Sequence, residues 1–255
     1  MTDTAFRRPP LGLAVRALLR ADAIVLTRSR IATVLSLALP VAILIVTSFN
    51  KAATKLGGSY LEIGLAITLG LLASCLLGYS LGLARDRETG VLQRLRVTPA
   101  PTWTIMTSRI VVQLVTNLIS SLIVLIVGVI LHGLTPTFGQ YVLVLLIALV
   151  GAAVFLSIGQ ALVGLVTSTG AINAIGRILF ILLVLVGLLG GTGVLGDAMK
   201  SIAQWTPVGA LMTLFGDVLG GSAWSDTDTY LLLACGGYVV VFAFIGIRWF
   251  RWESR

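Results

Sequence analysis

The stretch YVLVLLIALVGAAVFLSIGQALVGLV, residues 141–166, contains no charged side chain and no proline. Wound as an α-helix at about 1.5 Å per residue, it is long enough to cross the roughly 30 Å hydrocarbon layer of a bilayer. Its Leu, Val and Ile follow one another without the alternation of a barrel strand. A helix is therefore the structure that can satisfy its backbone hydrogen bonds in lipid. Working outward, the same reading finds six such runs, at residues 31–49, 60–84, 105–131, 141–166, 171–192 and 230–247. With 57% hydrophobic and 11% charged residues and a mean hydropathy of +1.04, the chain departs from a soluble domain, where about 25% of residues are charged. The expected fold is an all-α integral membrane protein with six transmembrane helices. It is expected to form one membrane domain over 1–255: an N-terminal segment 1–30, a bundle 31–247 and a tail 248–255. Small residues spaced as Ser74-xxx-Gly78-xxx-Gly82 suggest close helix contact in the second span.

The cations orient this bundle. The arginines fall in the N-terminal segment, between Arg85 and Arg109, at Arg177 and in the C-terminal tail, whereas Lys51, Lys55 and Lys200 lie on the opposite side with Glu62, Asp197, Asp217, Asp226 and Asp228. The positive-inside rule then places both termini and the loop around Arg85 to Arg109 in the cytoplasm. The formal net charge of +8 reads as membrane orientation and contact with anionic lipid, not as nucleic-acid binding, which would need a basic soluble module. Before the first span, positions at 100° intervals gather Leu11, Ala14, Val15, Leu18 and Val25 on one face and Arg16, Arg20 and Thr27 on the other. This predicts an amphipathic interfacial helix, with Asp22 anomalously close to its apolar side.

Chemistry on the chain itself is largely excluded. The sequence has no phosphate-binding Gly-xxxx-Gly-Lys loop, no nucleophile elbow and no His-Glu-xx-His zinc helix. Cys75 and Cys235 lie within spans with no metal-ligand spacing around them, and the lone His132 reads as an interface residue at the outer end of the third span. No metal or cofactor is expected on this chain. The middles of the spans lack the carboxylates that mark ion-coupled carriers. An energy source is therefore sought on a partner.

One charged island, Glu88-Thr89-Gly90-Val91-Leu92-Gln93-Arg94-Leu95-Arg96-Val97-Thr98-Pro99, sits between the second and third spans. Val91, Leu92 and Leu95 form a short apolar ridge flanked by Arg87, Gln93, Arg94 and Arg96, a pattern suited to lying in a groove of another protein. Gly90 permits close approach and Pro99 stops the helix. The alternative is an amphipathic loop lying on the membrane surface. The pattern Glu88-x-Gly90-x-Leu92-xx-Leu95-xxx-Pro99 resembles the signature of type-2 ABC exporter permeases, the drug, lipid and polysaccharide export group. The resemblance extends over the chain: an interfacial helix, six spans, this loop, and an apolar outer segment between spans five and six.

The resemblance implies that Arg87, Glu88, Gly90, Val91, Leu92, Leu95 and Pro99 couple the bundle to a separate ABC ATP-binding subunit, present in two copies, which carries ATP and Mg. It further implies a second permease copy or homologous permease, a bacterial or archaeal plasma membrane, and export of an amphipathic drug-like or lipid substrate. Polysaccharide or glycolipid export is the alternative, and an ion-coupled carrier or channel stands further off. In the outer segment, Trp205-Thr206-Pro207 reads as a helix start, Thr206 being the N-cap and Pro207 the first helical residue. Related permeases have short re-entrant helices there, although Pro207-Val208-Gly209-Ala210 matches their usual pattern only in part. In the third span, Arg109, Gln113, Thr116, Asn117 and Ser120 recur on one helix face. Gln113, Asn117 and Ser120 could line a substrate path or a dimer seam, or bond to neighbouring helices within one chain.

Overall fold

Uninterrupted apolar runs wind into helices here because lipid offers no partner for a free backbone amide or carbonyl. The computed structural model describes residues 11–28, 37–49, 58–96, 102–191 and 197–249, and among them the regular structure is entirely helical. In chain order the helices are α1 (Leu11–Arg28), α2 (Leu39–Phe49), α3 (Gly58–Glu88), α4 (Val91–Arg96), α5 (Thr102–His132), α6 (Phe138–Leu165), α7 (Thr169–Gly191), α8 (Asp197–Ala203), α9 (Pro207–Gly220) and α10 (Asp226–Trp249).

Five of these, α3, α5, α6, α7 and α10, are long and apolar enough to cross a membrane. They coincide with five of the six expected runs. The remaining run, 31–49, is described from residue 37 onward, where it is helical and packs on α3 and α5; residues 31–36 lie outside the described residues. The second span is longer than expected. Its helix continues through Arg85, Asp86, Arg87 and Glu88, so the charged island is joined rigidly to a transmembrane rod.

Burial sorts the long helices into two groups. Most of α3 and α6 is enclosed, whereas only about a third of α5 and a small part of α7 and α10 is. The enclosed pair forms the centre, joined by Leu71, Leu76, Ala152 and Phe155 of the core. Midway along α3 the chain is wound as a π-helix over Leu72–Tyr79. Opposite it, a Cβ on Gly159 would lie 3.0 Å from the Cys75 carbonyl oxygen, so glycine lets α6 approach the widened turn. Backbones also meet at Gly164, where a Cβ would lie 3.2 Å from the Gly246 carbonyl oxygen, bringing α6 and α10 together. The Ser74-xxx-Gly78-xxx-Gly82 spacing does not serve as one continuous seam: Ser74 is buried, but Gly82 is exposed and faces open space.

The segment between the fifth and last spans forms a hairpin of short helices. Thr206 caps α9 by accepting from Gly209 N–H at 3.2 Å, Pro207 opens the helix, and Gly221 closes it at φ 71°. Helix α9 is buried along most of its length, against α3, α6, α7 and α10. Gly209 has a local cause: a Cβ there would collide with the Ala203 carbonyl at the end of α8. Since backbone is slow to yield, Gly209→Ala is expected to destabilise the protein by ~1–3 kcal/mol, as overpacking does. Loss of the monodisperse peak on heating in detergent measures this; wild-type resistance to heating would show that the hairpin closes without the contact.

Candidate functional site

The arginine-rich end of α3 is where the sequence concentrates its polar machinery. Helix α3 stops at Glu88: Thr89 N–H reaches the Arg85 carbonyl at 2.9 Å and Gly90 N–H reaches that of Arg87 at 3.2 Å. Gly90 sits at φ 72°, the left-handed conformation that ends helices and that other residues rarely adopt. The chain then re-enters helix as α4, with Arg94 N–H bonded to the Gly90 carbonyl at 3.1 Å.

This turn divides the expected docking ridge. Leu92 is fully buried in the same core cluster as Leu83 and Ala84, so it fastens α4 to the chain's own bundle. Val91, Gln93 and Arg94 are exposed with Glu88, while Leu95 is half-buried. The outward surface is therefore Glu88, Val91, Gln93 and Arg94, and Leu92 stands behind it. Pro99 lies outside the described residues.

Arg87 also turns inward, away from the flank of the ridge where its sequence position put it. It is 1% exposed, and its guanidinium donates to the carbonyls of Val163 at 2.7 Å and Val166 at 3.1 Å. Helix α6 ends at Leu165, and the last carbonyls of a helix have no partner of their own. A planar cation is suited to this position, supplying several donors and a positive charge at the negative end of the helix.

Beside it, Asp86 accepts from Arg109 at 2.5 Å, and Arg109 lies 3.9 Å from Asp22. Asp22 also accepts from the Ser108 hydroxyl at 2.5 Å. These contacts tie α1 to the ends of α3 and α5, and they explain why an aspartate sits on the side of α1 expected to be apolar. The packed face of α1 runs through Val15, Leu18, Leu19 and Asp22, while Val25 points outward. Burial raises the Asp22 carboxyl above its ordinary 3.8, outweighing the Ser108 hydrogen bond and the Arg109 charge that lower it. A carboxyl raised in the folded state holds its proton longer there than when unfolded, so its charged form opposes folding. Stability should therefore rise as pH falls from above the raised value toward 3.8. Asp22→Asn is expected to remove that step from a plot of melting temperature against pH; an unchanged step would assign it to another acid.

Further along α5, the polar stripe faces the interior of this chain. Gln113 donates to the Ser74 hydroxyl at 3.0 Å, on the π-wound part of α3, and Asn117 donates to the Gln113 backbone carbonyl at 2.8 Å. Ser120 is buried nearby, while Thr116 is half-buried. Tyr79, at the end of the π segment, donates to Gln160 Oε1 of α6 at 2.6 Å.

At the opposite end, Thr206 and Pro207 lie inside the hairpin, while Trp205 stays exposed with its carbonyl accepting from Tyr238 at 3.1 Å. His132 is the last residue of α5, at the end of the span where it was expected. Its side chain is buried 3.4 Å from Glu62, with the Ser48 hydroxyl also 3.4 Å away. Glu62 and His132 lie on different helices, α3 and α5, so no spacing within one helix links them. Among the described residues, no cluster of His, Cys, Asp and Glu could hold a metal ion.

Five long apolar helices, an N-terminal helix tied to their arginine-rich ends through Asp22, and a short helix α4 following α3 describe a multi-pass helical membrane protein. The chain belongs to the ABC-2 type transporter family, whose model matches residues 14–219. It is similar to the protein named "Putative transport permease YvfS" of Bacillus subtilis (strain 168), with 26% identity over 138 residues. That alignment covers 54% of this chain and 56% of the relative, so the chain spans about half the length of the curated relative it matches.

Proposed function

We propose that this chain is the membrane-embedded subunit of an ATP-driven ABC exporter, paired with a second permease, with two ATP-binding subunits supplying ATP and Mg chemistry. The observation that carries the reading is the outward surface of Glu88, Val91, Gln93 and Arg94, presented on a helix that the bundle itself holds firmly. Leu92 anchors α4 beneath that surface, Arg87 joins it to α6, and Asp86 with Arg109 joins it to α5 and α1. A push delivered to α4 would be shared at once by four helices, as required for rigid movement between inward-open and outward-open arrangements.

Charge asymmetry supports a cytoplasmic position for α4 and for both termini. On that orientation the α8–α9 hairpin lies on the outer side, where two short helices entering and leaving the bilayer would form an outer gate. The apolar spans suit an amphipathic cargo, a drug-like compound or lipid, moving outward. The stripe Gln113, Asn117 and Ser120 is read as internal bracing, because Gln113 bonds within the chain to Ser74.

Co-purification of the tagged chain from its native host tests the reading. A stoichiometric subunit with a phosphate-binding loop is expected, its ATP hydrolysis stimulated by cargo after reconstitution. Absence of that subunit, together with transport driven by an ion gradient alone, would overturn it.

A further inference from the structure

A cavity of about 520 Å³ opens on the side of the bundle between α5, α6 and α10, a volume in the range that accommodates a small ligand. One face of α5 lines it from Trp103 through Met106 and Ile110 to Leu114. At 1.5 Å per residue that face is about 16 Å long, close to half of a hydrocarbon core of about 30 Å. On α10 the lining runs from Val239 to Ile247, ending beside Arg248 in the last turn. The cavity therefore spans the depth of a single leaflet, the one at the arginine-rich end.

Its wall is mostly hydrocarbon, with the hydroxyls of Thr107 and Ser157 and the amide of Gln160 as its polar points; the Ser157 hydroxyl donates its proton to the Val154 carbonyl. Tyr79 occupies the Gln160 Oε1, which leaves the amide nitrogen as a donor for whatever fills the space. The side chain is wedged in place against α10: a Cβ on Gly246 would fall 2.7 Å from Gln160 Cγ. Trp103 and Trp249 are exposed at the same end, as aromatic side chains are at a membrane–water boundary, and Arg248 is exposed between Ile247 and Trp249.

We infer that this cavity is a resident-lipid site that takes one acyl chain of an anionic glycerophospholipid. The chain lies along α5, an ester carbonyl accepts from Gln160 Nε2, and Arg248 at the rim attracts the headgroup phosphate. Length, apolar walls, an interior amide donor and a cation at the mouth match the four parts of such a lipid in order. A water-soluble cargo would leave most of the wall without a suitable partner.

The test places the full chain in vesicles of equimolar phosphatidylglycerol and phosphatidylcholine, extracts it in mild detergent and weighs it intact by native mass spectrometry. Wild type is expected to retain phosphatidylglycerol. The double variant Ala153→Phe with Ser157→Phe, which fills the cavity, should lose it, whereas Leu182→Phe on the exposed face of α7 should not. Arg248→Ala should lower phosphatidylglycerol retention relative to phosphatidylcholine by about fivefold, the equivalent of one surface cation. Unchanged retention in the filled variant overturns the inference. So does a filled variant that dissociates from dimer to monomer with its lipid count unaltered, which would assign the cavity to a second copy of the chain. Where the filled variant does not fold, brominated phosphatidylglycerol should quench a fluorescence component present in wild type and missing from Trp103→Phe; no difference between them overturns the site. None of these measurements depends on an ATPase partner.

Discussion

Arg87→Met is expected to unfold the arginine-rich end of the bundle and to reduce the yield of monodisperse protein sharply. The substitution keeps a long flexible apolar stem but removes both donors from the Val163 and Val166 carbonyls. Hydrogen bonds to a charged group contribute about 1.5–3 kcal/mol each, and buried acceptors left without partners add a desolvation penalty. A loss of ~3–5 kcal/mol follows, comparable to breaking a buried charged contact and a large part of the stability of an ordinary domain. Arg87→Lys should recover only part of it, since one ammonium cannot reproduce the planar fork that reaches two carbonyls. Thermal unfolding of the three proteins in the same detergent measures the order: wild type, Lys, Met. If Met matches wild type in stability and loses only coupling to ATP hydrolysis, Arg87 is a docking residue and its inward placement is wrong.

A second large effect separates neighbours on α4. Val91→Asp puts a carboxylate on an exposed position and is expected to leave melting unchanged while abolishing capture of the ATP-binding subunit. Leu92→Ala empties a fully buried position and is expected to destabilise the chain by ~2–5 kcal/mol, the usual range for truncating an enclosed leucine. Partner capture by Leu92→Ala should fall only as far as folding does. Measuring melting temperature and co-purified ATPase on the same preparations distinguishes the two. Reversed results, a stable Leu92→Ala that captures nothing and a destabilised Val91→Asp that captures normally, would put Leu92 on the outer surface.

The difference between these two residues shows what was legible beforehand. Residues 105–131 and 141–166 announced their helices because a run of apolar side chains has one satisfactory form in lipid. Thr206 and Pro207 announced the start of α9 because capping chemistry is local. The inside and outside of α4 were not legible: the apolar spacing of Val91, Leu92 and Leu95 fits an outward ridge as well as an inward anchor, and only the packing of α4 against the end of α3 decides between them. The same holds for Arg87, whose partners are carbonyls of residues far away in the chain and leave no mark on its neighbours. Asp22 was a partial exception. A carboxylate on an apolar helix face must meet a cation or a donor if that face is packed, and Arg109 and Ser108 supply both.

The π-wound stretch Leu72–Tyr79 sets the angular phase of everything that follows it in the same rod. Each residue added to or taken from an α-helix turns the remainder by about 100° about the axis. The residues at the far end of α3 therefore reach their partners only when the number of residues in that stretch is kept. With one fewer, Asp86 would rotate away from Arg109 and Arg87 away from the end of α6, although neither residue nor its partner had changed. Chain length between Leu72 and Tyr79 thus acts as a timing mark for the whole arginine-rich end.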